Sequence, residues 1–342
     1  MNTTLSRLKE NLVIDPTSMT PKYLQIANQV KEMIRKGILI KGDKLPPINI
    51  AYREFGISRD TLIAAYKELQ NKKIISSAHG KGFFVRSTRN TGKERVFILF
   101  DVMNGYKEVL YRSLVDKLGK NYECDIFFHY YNLRVFEKAL FENSGDYDHY
   151  VIMPHFNDDV SSIVSQLPAD KTIIIDKNVP ALNHFKSVYQ DFHNDVKKAL
   201  AEASPLLDKY SCLCFIVNRK FQFIPDGIIN GFREYCRENE KVYAFVEDLE
   251  SHTLKKGNAY IVFTDKDLVK IIKSARSKQL SLGKNIGILS YDETELKEVL
   301  MGGISVMSTD FREMGKTAAK MIMGKTSGNI INPFHLITRK SL

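Results

Sequence analysis

The sequence predicts an α/β protein in two unequal parts: a small basic head of helices with one hairpin, and a larger module in which strand and helix alternate. Three observations carry this. The first 89 of the 342 residues hold 16 Lys/Arg against 7 Asp/Glu, a net of +9, whereas the remaining 253 hold 34 against 33. From residue 95 onward, short apolar runs alternate with helix-patterned stretches, the order that builds a parallel sheet covered by helices. Near the end of the basic part, a capped amphipathic helix is followed by two β-rich runs around a glycine pair. We divide the chain into an N-terminal arm (1–20), a head (21–86), a linker (87–94) and the large module (95–342).

Residues 1–20 are polar with weak periodicity and read as a loose arm. Pro21 then opens a stretch in which Tyr23, Ile26, Ala27, Val30, Met33 and Ile34 recur at three and four, the spacing of an amphipathic helix that Gly37 ends. A turn-rich connector and a short helix over 49–55 lead to residues 56–71, GISRDTLIAAYKELQN. Ser58 is placed to cap that helix, and Leu62, Ala65, Tyr66 and Leu69 share its buried face. Arg59 and Asp60 project from its N-terminal end. Runs at 74–77 and 83–86 flank His79, Gly80, Lys81 and Gly82, whose glycines allow a tight hairpin tip. Residues 87–94 are polar, and the charge balance changes across them.

A basic small domain on a neutral larger one fits a polyanion binder. A helix N-terminus carrying a cation suits the DNA major groove, and a basic hairpin behind it suits the backbone or minor groove. Four segments then match a family. Pro21-Lys22-Tyr23-Leu24-Gln25-Ile26, Gly42-Asp43-Lys44-Leu45-Pro46, Ile57-Ser58-Arg59-Asp60-Thr61 and Gly80-Lys81-Gly82-Phe83-Phe84-Val85 stand in the family's order. Residues 21–86 resemble the winged helix-turn-helix domain of GntR-type bacterial repressors. The resemblance implies DNA contact by Arg59, Thr61 and the wing tip, within a set comprising Pro46, Asn49, Ser58, Arg59, Asp60, Thr61, His79, Gly80, Lys81 and Gly82. Pro47 and Asn49 stand where the family has Ser and Arg, and Ile63 stands where a basic residue is common.

In the large module, RVFILFDV, YECDIFFHY, YDHYVIMP, KTIIIDK, CLCFIV, KVYAFV, AYIVFT and NIGILSY read as strands. Helical patterns between them predict a right-handed doubly wound architecture. Such sheets bind ligands beyond the carboxyl ends of their strands, which directs attention to Asn104, His155, Asp176, Asn218, Asp265 and Asp292. Residues 147–152, 171–176, Gly231-Phe232, Thr264-Asp265, 290–293 and 305–319 follow the order of motifs in LacI-type regulators. The module resembles their two-lobed, periplasmic-binding-protein-like effector domain. That resemblance implicates Asp176, Thr264, Asp265 and Asp292 in holding a small molecule, usually a sugar, with Asp226 where many relatives place an arginine. Asn104, Tyr106, His155, Phe156 and Tyr291 complete the expected effector set.

The sequence has no GxSxG, P-loop, strand-following GxGxxG or HExxH, so no enzyme chemistry and no cofactor or metal is expected. Cys124, Cys212, Cys214 and Cys236 form no CxxC pair and read as reduced thiols, with Cys212 and Cys214 on one core-facing side of an apolar run. With neither a secretion signal nor a membrane-spanning run, the expectation is a cytoplasmic homodimer that binds operator DNA and a monosaccharide-like effector, acting as a repressor as the family resemblance implies. A nucleobase, nucleoside or sugar phosphate is the alternative effector, and a small-molecule-processing α/β enzyme the alternative of another class.

Overall fold

Leu62, Ala65, Tyr66 and Leu69, the four apolar residues on one side of the capped helix, are all buried in a core that the whole head shares. A computed structural model describes residues 3–18, 20–78, 80–86, 93–217 and 224–342. The head comprises α1 (Thr3–Asn11), α2 (Lys22–Arg35), α3 (Ile48–Glu54), α4 (Arg59–Asn71), β1 (Ile75–Ala78) and β2 (Gly82–Val85). β1 and β2 pair antiparallel, Ile75 opposite Val85 and Ala78 opposite Gly82. The hairpin leans on α4 through an edge contact of Tyr66 and Phe83, centroids 5.0 Å apart. The Tyr66 hydroxyl donates to the Pro46 carbonyl at 2.9 Å, which ties the connector to α4.

The expected loose arm is corrected. Residues Thr3–Asn11 form a helix whose Leu8 is buried in the head core, with Leu12 packed beside it. Arg7 pairs with Asp43 at 3.0 Å. A short helix with two anchoring leucines gives little periodic signal, and its order comes from tertiary contact.

Among the described residues the large module is two six-stranded sheets with the same order of strands, differing in the direction of the last edge strand. In chain order its elements are β3 (Glu94–Phe100), α5 (Gly105–Leu118), β4 (Tyr122–Phe128), α6 (Leu133–Asn143), β5 (His149–Ile152), α7 (Ser161–Val164), β6 (Thr172–Lys177) and β7 (Lys186–Gln190). There follow α8 (Phe192–Leu207), β8 (Cys212–Ile216), α9 (Asp226–Glu238), β9 (Tyr243–Val246), β10 (Asn258–Val262), α10 (Asp265–Ser277) and β11 (Gly287–Tyr291). The last are α11 (Glu295–Val299), β12 (Ser305–Thr309), α12 (Phe311–Ile322), β13 (Asn329–Ile331) and β14 (Phe334–Ile337). The N-lobe sheet runs β13-β7-β6-β5-β3-β4 and the C-lobe sheet β14-β12-β11-β10-β8-β9. Pairing is parallel throughout the module except between β12 and β14. Each sheet has an apolar core on both faces, as parallel strands buried on both sides require.

The chain crosses between lobes after β7, after β12 and between β13 and β14. α8 therefore packs on α9 in the C-lobe, and α12 returns to pack on α5 in the N-lobe. A glycine permits each packing: a Cβ on Gly231 would stand 2.4 Å from the His193 carbonyl oxygen, and one on Gly315 would stand 2.5 Å from that of Leu110. Asn332 laces the crossings together. Its backbone N–H donates to Tyr189 O at 2.7 Å, and its Nδ2 donates to Thr309 Oγ1 at 2.7 Å and Asp310 O at 2.9 Å. The strands β7, β12, β13 and β14 were not legible from apolar runs.

Candidate functional site

The strand ends of the two lobes enclose a cavity of about 290 Å³. The N-lobe contributes Asp101, Asn104, Tyr106, Tyr131, His155, Asp176 and Gln190; the C-lobe contributes Ile228, Phe263, Asp265, Tyr291, Asp292, Thr294 and Lys297. Asp176 is the last residue but one of β6 and Asp292 follows β11, the third strand from the edge in each sheet. Both take left-handed backbone angles, φ 71° and 61°. Such geometry in a non-glycine residue costs of order 1–3 kcal/mol and persists where the surroundings enforce it.

A buried polar chain runs from the N-lobe into the C-lobe. Lys107 Nζ pairs with Asp101 Oδ1, and Asp101 Oδ2 meets His155 Nδ1 at 2.9 Å. His155 Nε2 lies 3.0 Å from Asp176 Oδ2. Gln190 Nε2 donates to Asp176 Oδ1 at 2.5 Å, and the Tyr291 hydroxyl donates to Gln190 Oε1 at 3.1 Å. Burial alone would raise the Asp101 carboxyl and lower the His155 imidazole. Their mutual attraction, with Lys107 and Asp176 beside them, overrides this, holding Asp101 well below the usual carboxylate range and raising His155. The pair is therefore ionic, and every charge in the chain has a partner.

Asp292 is different. Its Oδ1 is buried with no hydrogen-bond partner among the described residues, as is Thr294 Oγ1 nearby. Lys297, which is 2% exposed, donates to the backbone carbonyls of Tyr291 and Asp292 at 2.8 and 2.7 Å. Burial pushes the Asp292 carboxyl up to about 7 against the attraction of Lys297, and Asp176 adds to the rise. The Tyr106 phenol is likewise pushed well above its ordinary value, by desolvation and then by Asp292, Asp101 and Asp176. A buried acceptor left open on a cavity wall costs free energy until a donor reaches it. Asp292 and Thr294 thus mark where hydroxyl or amine donors of a ligand would sit. Tyr106, stacked on Phe311 at 4.3 Å, and Phe263, stacked on Tyr291 at 5.0 Å, hold aromatic surface around them.

The structure brings Asn104, Tyr106, His155, Asp176, Thr264, Asp265, Tyr291 and Asp292 to one cavity. Two of these are helix caps: Asn104 accepts from Lys107 N at 3.2 Å, and Thr264 accepts from Asp267 N at 2.9 Å. Phe156 does not join them. It is a core residue stacked on His129 at 4.6 Å and, with Asp226, it borders a separate hollow beside Lys177 and His193. Asn218 lies outside the described residues. Sequence reading missed Asp101, Lys107, Gln190, Thr294 and Lys297. Asp101 was discoverable, since it is the one acidic residue within the first apolar run, RVFILFDV; Gln190 was hidden because its strand was.

In the head, Ser58 caps α4, its Oγ accepting from Thr61 N at 3.1 Å. Asn49, Arg59, Asp60, Gly80 and Lys81 are exposed, Thr61 and Gly82 partly so. Pro46 is buried, and its expected role at the surface is corrected to one in shaping the connector. His79 lies outside the described residues.

Residues 22–85 match the gntR family of bacterial regulatory proteins, and residues 212–342 match a periplasmic binding protein-like domain. The head is a GntR-type helix-turn-helix domain. Behind it stands a periplasmic-binding-protein-like module. The head's kinship is seen in the HTH-type transcriptional repressor YtrA of Bacillus subtilis, 40% identical over 78 residues, which are 23% of this chain and 60% of that protein. The mannosyl-D-glycerate transport/metabolism system repressor MngR of Escherichia coli is 39% identical over 69 residues, 20% of this chain and 29% of that one. The chain thus spans under two thirds of either relative. The module's fold is that of a LacI family transcriptional regulator from Lactobacillus casei solved with bound glucose. That match has a TM-score of 0.60 and 13% identity, and covers 72% of this chain and 99% of that one. These relatives are transcription regulators, not enzymes.

Proposed function

We propose that this GntR-headed chain is a transcription regulator that binds operator DNA and is controlled by a small polyhydroxylated effector, a sugar or sugar-like metabolite, held between the lobes. The observation that carries the reading is the open Asp292 carboxylate on the wall of the interlobe cavity. Sugars present many donors, and a carboxylate accepts from them with selectivity because a missing hydroxyl leaves a buried acceptor unpaired. The lysines at the site do not favour a phosphate: Lys107 lies buried behind the wall, neutralised by Asp101, and Lys297, on the wall itself, is taken up by two carbonyls.

The chain would act in the cytoplasm as a homodimer, its two heads reading half-sites of a pseudo-palindrome. Effector binding would favour one arrangement of the lobes, and a preference of several kcal/mol would be needed to weaken operator binding as a repressor requires. A thermal-shift screen of monosaccharides, disaccharides, sugar phosphates and nucleosides tests the effector class. A neutral sugar should raise the melting temperature. A response confined to nucleosides or sugar phosphates would overturn the polyol reading.

A further inference from the structure

The α6–β5 loop of the N-lobe is built as a seat for the head. Asp146 receives two head lysines, one on each oxygen: Lys31 of α2 on Oδ1 and Lys72, the residue just after α4, on Oδ2. Lys72 Nζ also donates to the Glu142 carbonyl at 2.9 Å. Two residues on, Asp148 pairs with Arg35 at 3.4 Å through Oδ1 and accepts from the backbone N–H of Arg95 at 2.9 Å through Oδ2. The fit is steric as well as ionic. Gly145 has φ +76°, and a Cβ there would stand 2.9 Å from Asn28 Cβ and Cγ in the middle of α2. Lys171 adds a weaker pair with Glu32 at 3.8 Å, and Thr20 Oγ1 donates to Gln166 Oε1 at 3.2 Å.

Lys31 is 8% exposed, unusual for a lysine unless it is paired. Burial draws its ammonium down from the ordinary value, opposed chiefly by Asp146. Removing one partner from a buried ion pair costs far more than losing a surface pair, because the other charge stays behind. Three of the head's cations therefore face the N-lobe, so part of the head's charge excess answers this acidic loop rather than a polyanion.

We infer that the head is clamped to the N-lobe through the Asp146 carboxylate, so that the two move as one body and the lobe sets the direction of α4. The clamp grips α4 at its C-terminal end. Thirteen helical residues place Arg59 about 20 Å away, leaving the reading end and the wing clear. Motion of the N-lobe then turns α4 directly, without passing through the linker alone. The contact stands whatever the effector is.

The test uses the full-length, ligand-free protein. Acetylation by an activated ester, read by mass spectrometry, compares Lys31 with Lys67, an exposed lysine of the same head. Lys31 should react about tenfold or more slowly, the protection given by an opening free energy above ~1.4 kcal/mol. Both Asp146→Asn, which removes the charge, and Gly145→Val, whose Cβ would stand 2.9 Å from Asn28 Cβ and so removes the fit from the lobe side, should abolish that protection. A head buried for its own reasons would keep Lys31 protected in both variants, and this overturns the clamp, as does equal reactivity of Lys31 and Lys67 in the unaltered protein. Carbodiimide coupling of Lys72 to Asp146 in a mixture of ¹⁴N and ¹⁵N chains should give only same-isotope products. Mixed products would place the seat under a partner's head and overturn the intrachain clamp.

Discussion

The Tyr291 hydroxyl donates to Gln190 Oε1 at 3.1 Å, and with this bond the buried charge chain of the N-lobe enters the C-lobe. Gln190 is the last residue of β7, next to the first crossing between lobes, and its amide holds Asp176 with its other end. The arrangement makes Asp176 internally satisfied and leaves the open acceptor on the opposite jaw, at Asp292. The two aspartates occupy equivalent places in their sheets, yet their roles divide: one is anchored, the other is open.

Tyr291→Phe should therefore destabilise the module although it deletes a single oxygen. The ring keeps its stack on Phe263, but Gln190 Oε1 is left buried and unpaired. That asymmetry costs about 1–3 kcal/mol. Calorimetry should show the melting temperature falling by several degrees, at about 2–4 °C per kcal/mol for a module of this size. An unchanged melting temperature would show that the bond contributes nothing to the stability of the module.

The pH profile follows from Asp292. Its carboxyl lies at about 7 in the folded state against an ordinary 3.8. Between those values the folded chain keeps a proton that the unfolded chain has lost, so stability falls as pH rises. The contribution is fully present below the ordinary value and is lost by the time pH has risen through about 7. Asp292→Asn removes this loss. Its melting temperature relative to the unaltered protein should climb from pH 4 to pH 7 and then level off. Asp195, also raised to about 7, acts in both proteins and cancels in the difference. Parallel profiles would mean that Asp292 is ionised throughout.

Much of this was legible in the sequence because two signals are local. The cap of Ser58 and the 3.6-residue spacing of Leu62, Ala65, Tyr66 and Leu69 specify α4 without reference to the rest of the chain. The continuous apolar runs specify β3, β5, β6, β8, β10 and β11 because those strands are buried on both faces. β7 and β13 escaped because they mix polar residues with apolar ones near the sheet edge. The site was half legible for a related reason. Strand-end position brought Asp176 and Asp292 to notice, but whether a carboxylate is paired or open depends on Gln190 and Lys297, whose approach is set by the crossings between lobes.

Gly315→Ala sets two effects against each other. Alanine in place of glycine favours a helix by about 1 kcal/mol. Here its Cβ would stand 2.5 Å from the Leu110 carbonyl oxygen and 2.9 Å from the Leu114 nitrogen, both backbone atoms of α5. Backbone cannot rotate away, so α12 must shift, and overpacking of this kind costs typically 1–3 kcal/mol. The expected net is destabilisation, seen as a lower thermal midpoint. A gain in stability would mean that the two helices separate without loss.

Ser58→Ala and Arg59→Ala should separate folding from recognition at neighbouring residues. Ser58 satisfies the Thr61 N–H at 3.1 Å, and loss of that cap should cost the head about 1 kcal/mol. Arg59 is exposed, so its truncation should leave thermal stability nearly unchanged. If Arg59 reads a base edge in the major groove, the same truncation should lower affinity for a site selected from random DNA by about 1–3 kcal/mol. Fluorescence anisotropy at fixed salt measures this, and a salt titration of the unaltered protein should give a steep fall in binding. Full affinity in Arg59→Ala would remove the N-terminal end of α4 from the groove and leave recognition to the wing. Equal loss of stability and binding in both variants would mean that Arg59 supports the fold of the head rather than the reading of DNA.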